Sequence, residues 1–247
     1  MKLLTNHRSI RSFQPKEIED SVLNDLLESG IRASNTGNMQ LYSVVVTRDV
    51  EKKKLLAPLH FNQPMVLQAP VLLTICLDIN RFYKWCRSSN TEVDFKNLLW
   101  LLNGTIDASI LAQNICIAAE NLGLGICYLG TALYNASEIS AVLKLPIGVI
   151  PITALSIGYP ERIPEQTDRL PFGAVIHYEE YSDFNESQIK ELYNEKEELQ
   201  SSKMFVIENG KENLAQVYTE IRYKNADNDF FSKKLLKLLT EQGFHFD

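Results

Sequence analysis

The chain has 247 residues, of which 45% are hydrophobic and 23% are charged. These proportions are typical of a globular protein, and the length is sufficient for one sizeable core. The formal net charge is −6, which argues against an extended nucleic-acid surface because such binding depends on basic side chains that neutralise phosphates. We therefore expect no nucleic-acid partner.

The first motif along the chain is His7–Phe13, with the sequence HRSIRSF. It combines an imidazole, two guanidiniums and two hydroxyls, and it lies just before a predicted helix. Guanidiniums bind phosphate oxygens in a bidentate manner, and the free N–H groups at a helix start favour an anion. Ile10 and Phe13 are three residues apart and can share one buried face. The motif is typical of a site for a phosphate monoester, or of a charged surface turn with an apolar anchor.

The first third of the chain predicts two helices, one strand and two loops. Residues 19–32 predict an amphipathic helix, because apolar residues recur there at helical spacing. A loop of small and polar residues follows over 33–40. Residues 41–47 are short and β-branched, which predicts a strand, and residues 50–56 predict a short helix. Residues 61–64 are a predicted loop.

The centre of the chain predicts a buried strand and a long buried helix. Residues 71–78 form a continuous apolar run of strand length, which predicts a central strand. Residues 81–92 are aromatic, polar and irregular, and no element is predicted there. Residues 97–122 predict a long helix that is apolar nearly all round and therefore buried on most sides. Polar residues such as Asp107 interrupt it, so we expect no membrane span.

The last third predicts shorter elements and a helical tail. Residues 126–130 predict a strand, 137–143 a helix and 152–157 another strand. The composition then changes, because residues 185–203 are rich in Glu, Lys and Gln at helical spacing. Residues 233–239 are a last amphipathic segment. These tail helices have little apolar surface and are expected to pack on the main domain or on a partner subunit.

The cysteines, the histidines and the first residues predict a cytoplasmic protein without a metal site. The four cysteines form no C-x-x-C pair and have no histidine at metal-ligand spacing, so we expect buried, reduced thiols. The first residues lack the long apolar region of a signal peptide. Three histidines have no recognisable nucleophile or ligand near them in sequence and are expected at the surface or in loops: His60, His177 and His245.

Three further segments carry polar groups or glycines next to predicted strands. Residues 34–40, SNTGNMQ, offer donors and acceptors suited to the edge of a flat heterocycle, although a plain connecting loop is the alternative. Residues 118–130 contain glycines that allow a close approach to a ligand, although a helix end followed by a strand would also explain them. Residues 169–171 place a cation and a proline just past the last strand.

Together with HRSIRSF, these segments resemble the nitroreductase family of FMN-dependent oxidoreductases, in the NADPH-type nitroreductase and flavin reductase branch with a C-terminal helical extension. The resemblance covers roughly the first 175 residues well. It implies an α+β nitroreductase-like fold, with a mixed, mostly antiparallel sheet flanked by helices and a long central helix. It also implies an FMN-binding domain over 1–183 and a helical extension over 184–247 that packs on the dimer.

The resemblance further implies an intertwined homodimer with FMN at the subunit interface and cofactor contacts in each segment. In the family, the first motif binds the FMN phosphate and ribityl chain, and the polar loop lies against the flavin ring, often that of the partner subunit. The strand-end segment lines the other face of the ring. The implied cofactor-binding residues are His7, Arg8, Ser9 and Arg11, then Ser34, Asn35 and Asn38, then Gln63, then Tyr128, Leu129, Gly130 and Thr131, and finally Arg169 near the phosphate. No catalytic acid or base is implied.

The implied activity is hydride transfer from NAD(P)H through FMN to small acceptors, namely nitroaromatic compounds, quinones or flavins. A ping-pong mechanism is expected, in which the cofactor carries the chemistry. Two alternatives stay open at this point. One is an FMN-binding sensor or carrier without turnover, and the other is a different reaction on the same fold, such as dehalogenation or flavin breakdown.

The chain departs from the branch at two places. Thr167, beside Asp168, stands where the branch has a lysine, which weakens the positive charge near the flavin or the phosphate. The Arg-rich tail loop that is thought to take the 2′-phosphate of NADPH corresponds here to residues 201–206, which contain one cation. The sequence therefore leaves open the choice between NADH and NADPH, the physiological acceptor and the role of the extension.

Overall fold

The computed structural model of the chain describes residues 1–246. Helices and strands alternate along most of it, and its strands form one sheet. The strands are β1 Tyr42–Thr47, β2 Val71–Asp78, β3 Gly125–Leu129 and β4 Val149–Gly158. The α-helices are α1 Lys2–Thr5, α2 Asp20–Ile31, α3 Val50–Leu56, α4 Met65–Gln68, α5 Asn80–Ser88, α6 Leu98–Asn121, α7 Ala136–Leu143, α8 Glu186–Glu198, α9 Gln200–Glu208, α10 Leu214–Gln216 and α11 Asn225–Glu241. A π-helix, Val217–Arg222, follows α10.

The sheet has the order β1-β2-β4-β3, and each neighbouring pair is antiparallel. Strand β4 begins three residues before the predicted strand and includes Pro151. The register of β2 against β4 shifts at that point, since Ile75 pairs with Thr153 and Cys76 pairs with Pro151. A proline lacks the N–H for a regular ladder and is tolerated at such a bulge. The predicted α+β fold is confirmed.

Both faces of β2 are covered, and every residue of this strand is buried. Its odd-numbered residues from Val71 to Leu77 pack into a core with α2 and α6. Leu72 points to the opposite face and packs into a second core with Leu56 and Met65. A strand covered on both faces shows a continuous apolar run instead of an alternating pattern, which is the pattern that predicted it.

Helix α6 is buried on one side only. Its residues from Ala108 to Ala119 pack against the sheet and α2. The opposite face exposes Leu99, Leu102 and Ile106, whose side chains are 62%, 51% and 54% exposed. The prediction that this helix is buried on most sides is therefore wrong for the single chain. The composition is apolar on both faces, but a single chain covers only one of them.

A helix also forms where no element was predicted. Helix α5 begins at Asn80, and the carboxylate of Asp78 accepts a hydrogen bond from the backbone N–H of Arg81 at 3.1 Å. Its Phe82 ring stacks on Phe95 with centroids 5.3 Å apart, and Phe95 stacks on Trp100 at 3.8 Å. These aromatic contacts stabilise a segment whose own hydrophobic spacing is irregular.

The HRSIRSF segment lies beside β3 and not at a helix start. Helix α2 begins only at Asp20. Pro15 follows the segment, and a proline disfavours the α conformation of the residue before it. The prediction that free N–H groups of a helix start contribute to this motif is therefore wrong. The backbone N–H of Ile10 instead donates to the Ile126 carbonyl at 2.8 Å, next to a parallel bridge between Ser9 and Ile126.

Two glycines allow this segment to lie against the sheet. A Cβ on Gly125 would lie 2.5 Å from the nearest carbon of Ile10, and a Cβ on Gly158 would lie 2.9 Å from Phe13. Real Cβ atoms essentially never show contacts below 3.0 Å. Ile10 and Phe13 are both buried, as their spacing predicted.

The described chain forms two compact units, one with residues 1–165 and 231–246 and the other with residues 166–230. The last residues are part of the first unit. There the side-chain oxygen of Gln242 accepts from the Gly148 N–H at 2.7 Å, and Lys234 lies 2.7 Å from Glu138. The compact units divide at residue 165, and the first unit resumes at residue 231. The division into an FMN-binding domain over 1–183 and an extension over 184–247 stays a prediction.

Within the second unit, the predicted helical tail is two helices, α8 and α9, separated at Leu199. Helix α8 begins with a capping box. The Asn185 side chain accepts from the Gln188 N–H, and the Gln188 side chain accepts from the Asn185 N–H. Leu199 is extended, with φ −55° and ψ 136°, which ends α8.

All four cysteines are buried and free, as predicted, and burial raises the pKa values of Cys76 and Cys116 to about 12. Those thiols are therefore protonated at neutral pH. Within residues 1–246, no helix has the combination of length and apolar character that a bilayer crossing requires.

We expect Gly125→Ala to lower the free energy of unfolding by about 1–3 kcal/mol, because the added methyl group forces Ile10 off β3. Urea unfolding of the purified protein measures this. Gly130→Ala is the matched control, since a Cβ there meets no atom within 4 Å. Equal stabilities of the two variants would contradict the packing that we describe. The double variant Ile10→Ala/Gly125→Ala should recover part of the free energy of unfolding that Gly125→Ala loses.

Candidate functional site

Strand β3 connects two polar clusters, each of which contains predicted site residues. The N-terminal cluster consists of His7, Arg8, Ser9 and Arg11, which lie along the first residues of β3. The glutamine cluster consists of His60, Gln63 and Thr131, with Thr131 just beyond the end of β3. Three residues lie between Cys127, beside the first cluster, and Thr131, which lies in the short helical turn Gly130–Ala132 after the strand.

In the N-terminal cluster, His7 is held by a carboxylate from α6. Its Nδ1 lies 2.5 Å from Oε1 of Glu120, whose side chain is only 14% exposed. Glu120 fixes the orientation of the imidazole and leaves Nε2 available to a ligand. The sequence analysis did not assign a role to Glu120, because 113 residues separate it from His7.

The two arginines of the N-terminal cluster have different surroundings. Arg8 donates from Nη1 to the Asn6 carbonyl at 2.8 Å, and its Nε is buried without a partner among residues 1–246. Arg11 is exposed and lies beside the thiol of Cys127. Burial raises the pKa of that thiol, and the nearby Arg11 partly offsets the rise. With one carboxylate against two guanidiniums, the cluster is suited to an anion.

The glutamine cluster joins two turns that are far apart in sequence. Nδ1 of His60 lies 2.8 Å from Oγ1 of Thr131. The side-chain amide of Gln63 donates to the same Oγ1 at 3.4 Å and to the His60 carbonyl at 3.2 Å. The structure therefore brings together Gln63 and Thr131, which the resemblance assigned separately.

His60 was not among the predicted site residues, and its predicted surface or loop location is wrong in one respect. It ends the short helical turn Ala57–His60 but is fully buried. Burial lowers its pKa to about 4, so the imidazole is neutral at physiological pH. Its Nε2 has no partner within residues 1–246. His245, by contrast, is exposed, as predicted.

The residues between the two clusters present both side chains and backbone. Tyr128 is partly exposed, and its hydroxyl donates to the Gln113 side chain at 3.4 Å. Burial, together with the neighbouring Cys116, raises its pKa. Leu129 is buried, so its side chain faces the core and only its backbone is available. Gly130 is exposed and has open space where a side chain would be.

The polar loop with Ser34, Asn35 and Asn38 is fixed by a buried carboxylate. Oδ1 of Asp107, on α6, accepts from the N–H and the hydroxyl of Thr36 at 2.9 and 3.0 Å. Asp107 is 1% exposed, and its Oδ2 has no partner within the described chain. The sequence did show a signal for it, namely an aspartate inside an apolar helix.

The side chains of this polar loop make local hydrogen bonds. Oδ1 of Asn35 accepts from the Gln40 N–H at 3.3 Å, and Asn38 accepts from the Gln40 side chain at 3.4 Å. Ser34 is exposed. No hydrogen bond described for residues 1–246 joins the loop to the two clusters on β3. Within one chain, the loop is therefore a separate group.

Arg169 belongs to the second unit, where its guanidinium is held locally. Nη1 donates to the Thr167 hydroxyl at 2.9 Å and to the Asp168 carbonyl at 2.8 Å. The carboxylate of Asp168 pairs with Lys196 at 2.7 Å. Thr167, which stands where the branch has a lysine, thus contacts the neighbouring arginine. The role of Arg169 in a cofactor site stays a prediction.

The described residues contain no group of three or more His, Cys, Asp or Glu side chains placed to hold a metal ion. The donors along β3 are instead cationic groups, hydroxyls, an amide and backbone. These groups suit an organic anion with a polar ring, in which the anion binds at the N-terminal cluster and the ring at the glutamine cluster.

A family profile described as the nitroreductase family matches residues 4–70 and 58–159. An "FMN reductase [NAD(P)H]" of Bacillus subtilis is 32% identical over 255 aligned positions, which cover 99% of this chain and 97% of that protein. A Bacteroides fragilis protein of known crystal structure has a TM-score of 0.98 and 51% identity, with both chains fully covered. A nitroreductase structure from B. subtilis has a TM-score of 0.87 and 28% identity, covering 98% of each chain.

We expect the buried imidazole of His60 to make the protein less stable in acid. Its pKa is near 6.5 in the unfolded chain and about 4 in the folded one, so the unfolded state binds the extra proton between these values. The free energy of unfolding should therefore fall by about 3 kcal/mol from this residue alone as the pH falls from 7 to 4. Urea unfolding of the wild type and of His60→Leu across this range measures the difference.

The matched control for this pH dependence is His245→Leu, which removes an exposed imidazole. Its free energy of unfolding should run parallel to that of the wild type from pH 7 to pH 4. A His60→Leu curve that is also parallel to the wild type would contradict the neutral, buried state of His60.

Proposed function

This chain belongs to the nitroreductase family, and we propose from that membership that it is an FMN-dependent oxidoreductase that uses NAD(P)H to reduce small acceptors. The observation that carries the proposal is the placement of the two clusters along β3. A cationic cluster lies along the start of this short strand, and an amide–hydroxyl cluster lies just beyond its end. This arrangement matches a ligand with a phosphate at one end and a flat polar ring at the other.

The N-terminal cluster fits a phosphate monoester. The Nε of Arg8 is a buried donor without a partner in the described chain, and such a donor costs free energy until a ligand satisfies it. Arg11 adds an exposed guanidinium, and His7 offers the nitrogen that Glu120 does not contact. We assign these three residues and Ser9 to the phosphate and ribityl chain of FMN.

The glutamine cluster and the end of β3 fit the flavin ring. Gln63 and Thr131 supply polar side-chain atoms, and Gly130 leaves open space at the strand end. The partly exposed ring of Tyr128 and the backbone of Leu129 complete this wall. An aromatic ring with a few placed polar groups suits a flat polar ligand.

When bound, FMN supplies the hydride chemistry by accepting two electrons from the nicotinamide and passing them to the acceptor. The residues of this chain bind and orient it, with the cationic groups at the phosphate and neutral donors and acceptors at the ring. We assign no catalytic acid or base, since the one imidazole in the glutamine cluster is buried and neutral. The nicotinamide and the acceptor use the same open side in turn, so the kinetics are ping-pong. The acceptors are nitroaromatic compounds, quinones or free flavins.

In this proposal the protein uses both NADH and NADPH. In the second unit, residues 201–206 contain one cation, Lys203, and its Nζ lies 2.6 Å from the Glu198 carboxylate. A lysine already paired with a carboxylate attracts an additional phosphate weakly. This supports comparable use of NADH and NADPH.

A homodimer completes the site in this proposal. The apolar stripe on α6, with Leu99, Leu102 and Ile106, is uncovered in one chain, and a second copy with the same stripe would cover it. No hydrogen bond described for residues 1–246 joins the polar loop with Ser34, Asn35 and Asn38 to the β3 clusters of its own chain. In this proposal, the polar loop of a second copy therefore lies against the flavin ring. Cytoplasmic localisation is also proposed, supported by four free cysteines.

We expect the purified protein to bind FMN and its yellow colour to bleach when NADH or NADPH is added without oxygen. Arg11→Gln should weaken FMN binding about tenfold to a hundredfold, because it removes a charge-assisted contact to phosphate. Fluorescence titration with FMN measures the affinity. Arg87→Gln, which removes an exposed guanidinium on α5, is the control and should leave the affinity unchanged.

Two results would count against this function. Failure of the purified protein to take up FMN would contradict the proposed FMN-dependent function. A protein that takes up FMN but is not bleached by either nicotinamide is a flavin-binding sensor or carrier. Steady-state rates with a quinone acceptor should give parallel double-reciprocal lines, and intersecting lines would contradict the ping-pong mechanism.

We expect light scattering to give twice the chain mass of 28.1 kDa for the wild type. Ile106→Glu should give the monomer mass and lose FMN binding, because a carboxylate within an apolar interface is left unpaired. Leu55→Glu, at an exposed position on α3, is the matched control and should stay dimeric. A dimeric Ile106→Glu protein would contradict the α6 interface.

A further inference from the structure

The contacts within the glutamine cluster allow one assignment of its hydrogen-bond donors and acceptors. His60 ends one turn, and Thr131 lies in the turn Gly130–Ala132 after β3. Phe61 and Asn62 have positive φ values of 55° and 53°, so the chain reverses sharply between His60 and Gln63. This reversal places the Gln63 side chain against the His60 carbonyl and the Thr131 hydroxyl.

The position of the imidazole proton follows from burial. Nε2 of His60 is buried and has no partner within residues 1–246. A buried N–H without an acceptor is rarer in proteins than a buried acceptor without a donor. The proton therefore resides on Nδ1, from which it is donated to Oγ1 of Thr131 at 2.8 Å. The low pKa of this imidazole, about 4, keeps the second nitrogen unprotonated.

The remaining atoms of the cluster are then determined one by one. Oγ1 of Thr131 accepts from His60 and from the Gln63 amide, so both of its lone pairs are used. Its own hydrogen is left to donate elsewhere. The two hydrogens of the Gln63 amide go to Thr131 and to the His60 carbonyl. Only the oxygen of that amide is left, and it can only accept.

We propose that His60 is a positioning residue that makes the glutamine cluster present one acceptor, the Gln63 oxygen, and one donor, the Thr131 hydroxyl. A ring edge on which an N–H and a carbonyl are neighbours complements this pair, and the pyrimidine part of a flavin has such an edge. The inference rests on the proposed function for the identity of the ring. The orientation of the Gln63 amide, by contrast, follows from contacts within the chain alone.

The test compares variants that remove or restore single hydrogen bonds. His60→Leu removes the donor to Thr131, whereas His60→Asn can place an amide N–H near the position of Nδ1. Thr131→Val removes the hydroxyl, and Thr131→Ser keeps it. For each variant, FMN affinity, the visible absorption spectrum of bound FMN and the melting temperature are measured. Thr74→Val, which removes a buried hydroxyl from the centre of β2, is the matched control.

The expected results separate positioning from general stability. His60→Leu and Thr131→Val should each weaken FMN binding about tenfold and shift the visible band of the bound flavin. The double variant should bind about as weakly as either single variant, because the residues act as one unit. His60→Asn and Thr131→Ser should bind within about threefold of the wild type. Thr74→Val should change the melting temperature only.

NMR of the imidazole nitrogens in the flavin-free protein tests the network independently of FMN. A proton on Nδ1 of His60 is expected, and a proton on Nε2 would overturn the inference. If His60→Leu does not fold, the Thr131→Val and Thr131→Ser pair gives the same comparison. Unchanged affinity and spectrum in Thr131→Val would overturn the inference while the proposed function stands. A wild type that takes up no FMN would overturn the proposed function instead.

Discussion

The seating of the N-terminal segment on β3 is the constraint on which the candidate site depends. Ile10 can approach the sheet only because Gly125 has no side chain, and the hydrogen bond from Ile10 to Ile126 then fixes the register. Every residue of the N-terminal cluster is within three positions of Ile10. The cluster therefore owes its position to apolar contacts at two glycines and to one backbone hydrogen bond, although its own chemistry is polar.

Two buried polar side chains hold loops in place around this core. Asp107 fixes the polar loop after α2, and His60 fixes the turn before Gln63. Each has one oxygen or nitrogen that is buried without a partner in the described chain. Such atoms cost free energy in the folded state, and each lies next to a segment with predicted cofactor contacts. These unpaired atoms thus lower the free energy of unfolding, and they lie where the site needs fixed geometry.

The sequence predicted all four strands and most of the longer helices of the first unit, because their apolar patterns reflect local burial. The short helices α1 and α4 were not predicted. The long apolar run of β2 and the limits of α3 agree with the structure. The helix α5 was missed because aromatic contacts with Phe95 and Trp100 stabilise it, and these are tertiary. The exposed side of α6 was also missed, since apolar composition does not show which face a single chain covers.

The residues of the candidate site that lie in short sequence motifs could be predicted. The N-terminal cluster and Gln63 were assigned through the family resemblance, and these assignments stay predictions of binding. Glu120, Asp107 and His60 were not assigned, because each acts on a residue 70 or more positions away in the chain. Pairings of that length are set by the fold and leave no spacing signal in the sequence.

The return of the last residues to the first unit has a consequence for how the chain is made. Leu238, Leu239 and Phe244 belong to the same core as β2 and α6. The second unit, residues 166–230, is synthesised after β2 and α6 but before these three residues. During synthesis, part of the core of the first unit therefore stays uncovered until residues 166–230 and the last helix have been synthesised. Contacts between such distant segments slow folding, and an uncovered core favours aggregation. The second unit can complete its own helices in that interval, so the order of folding need not follow the order of the chain.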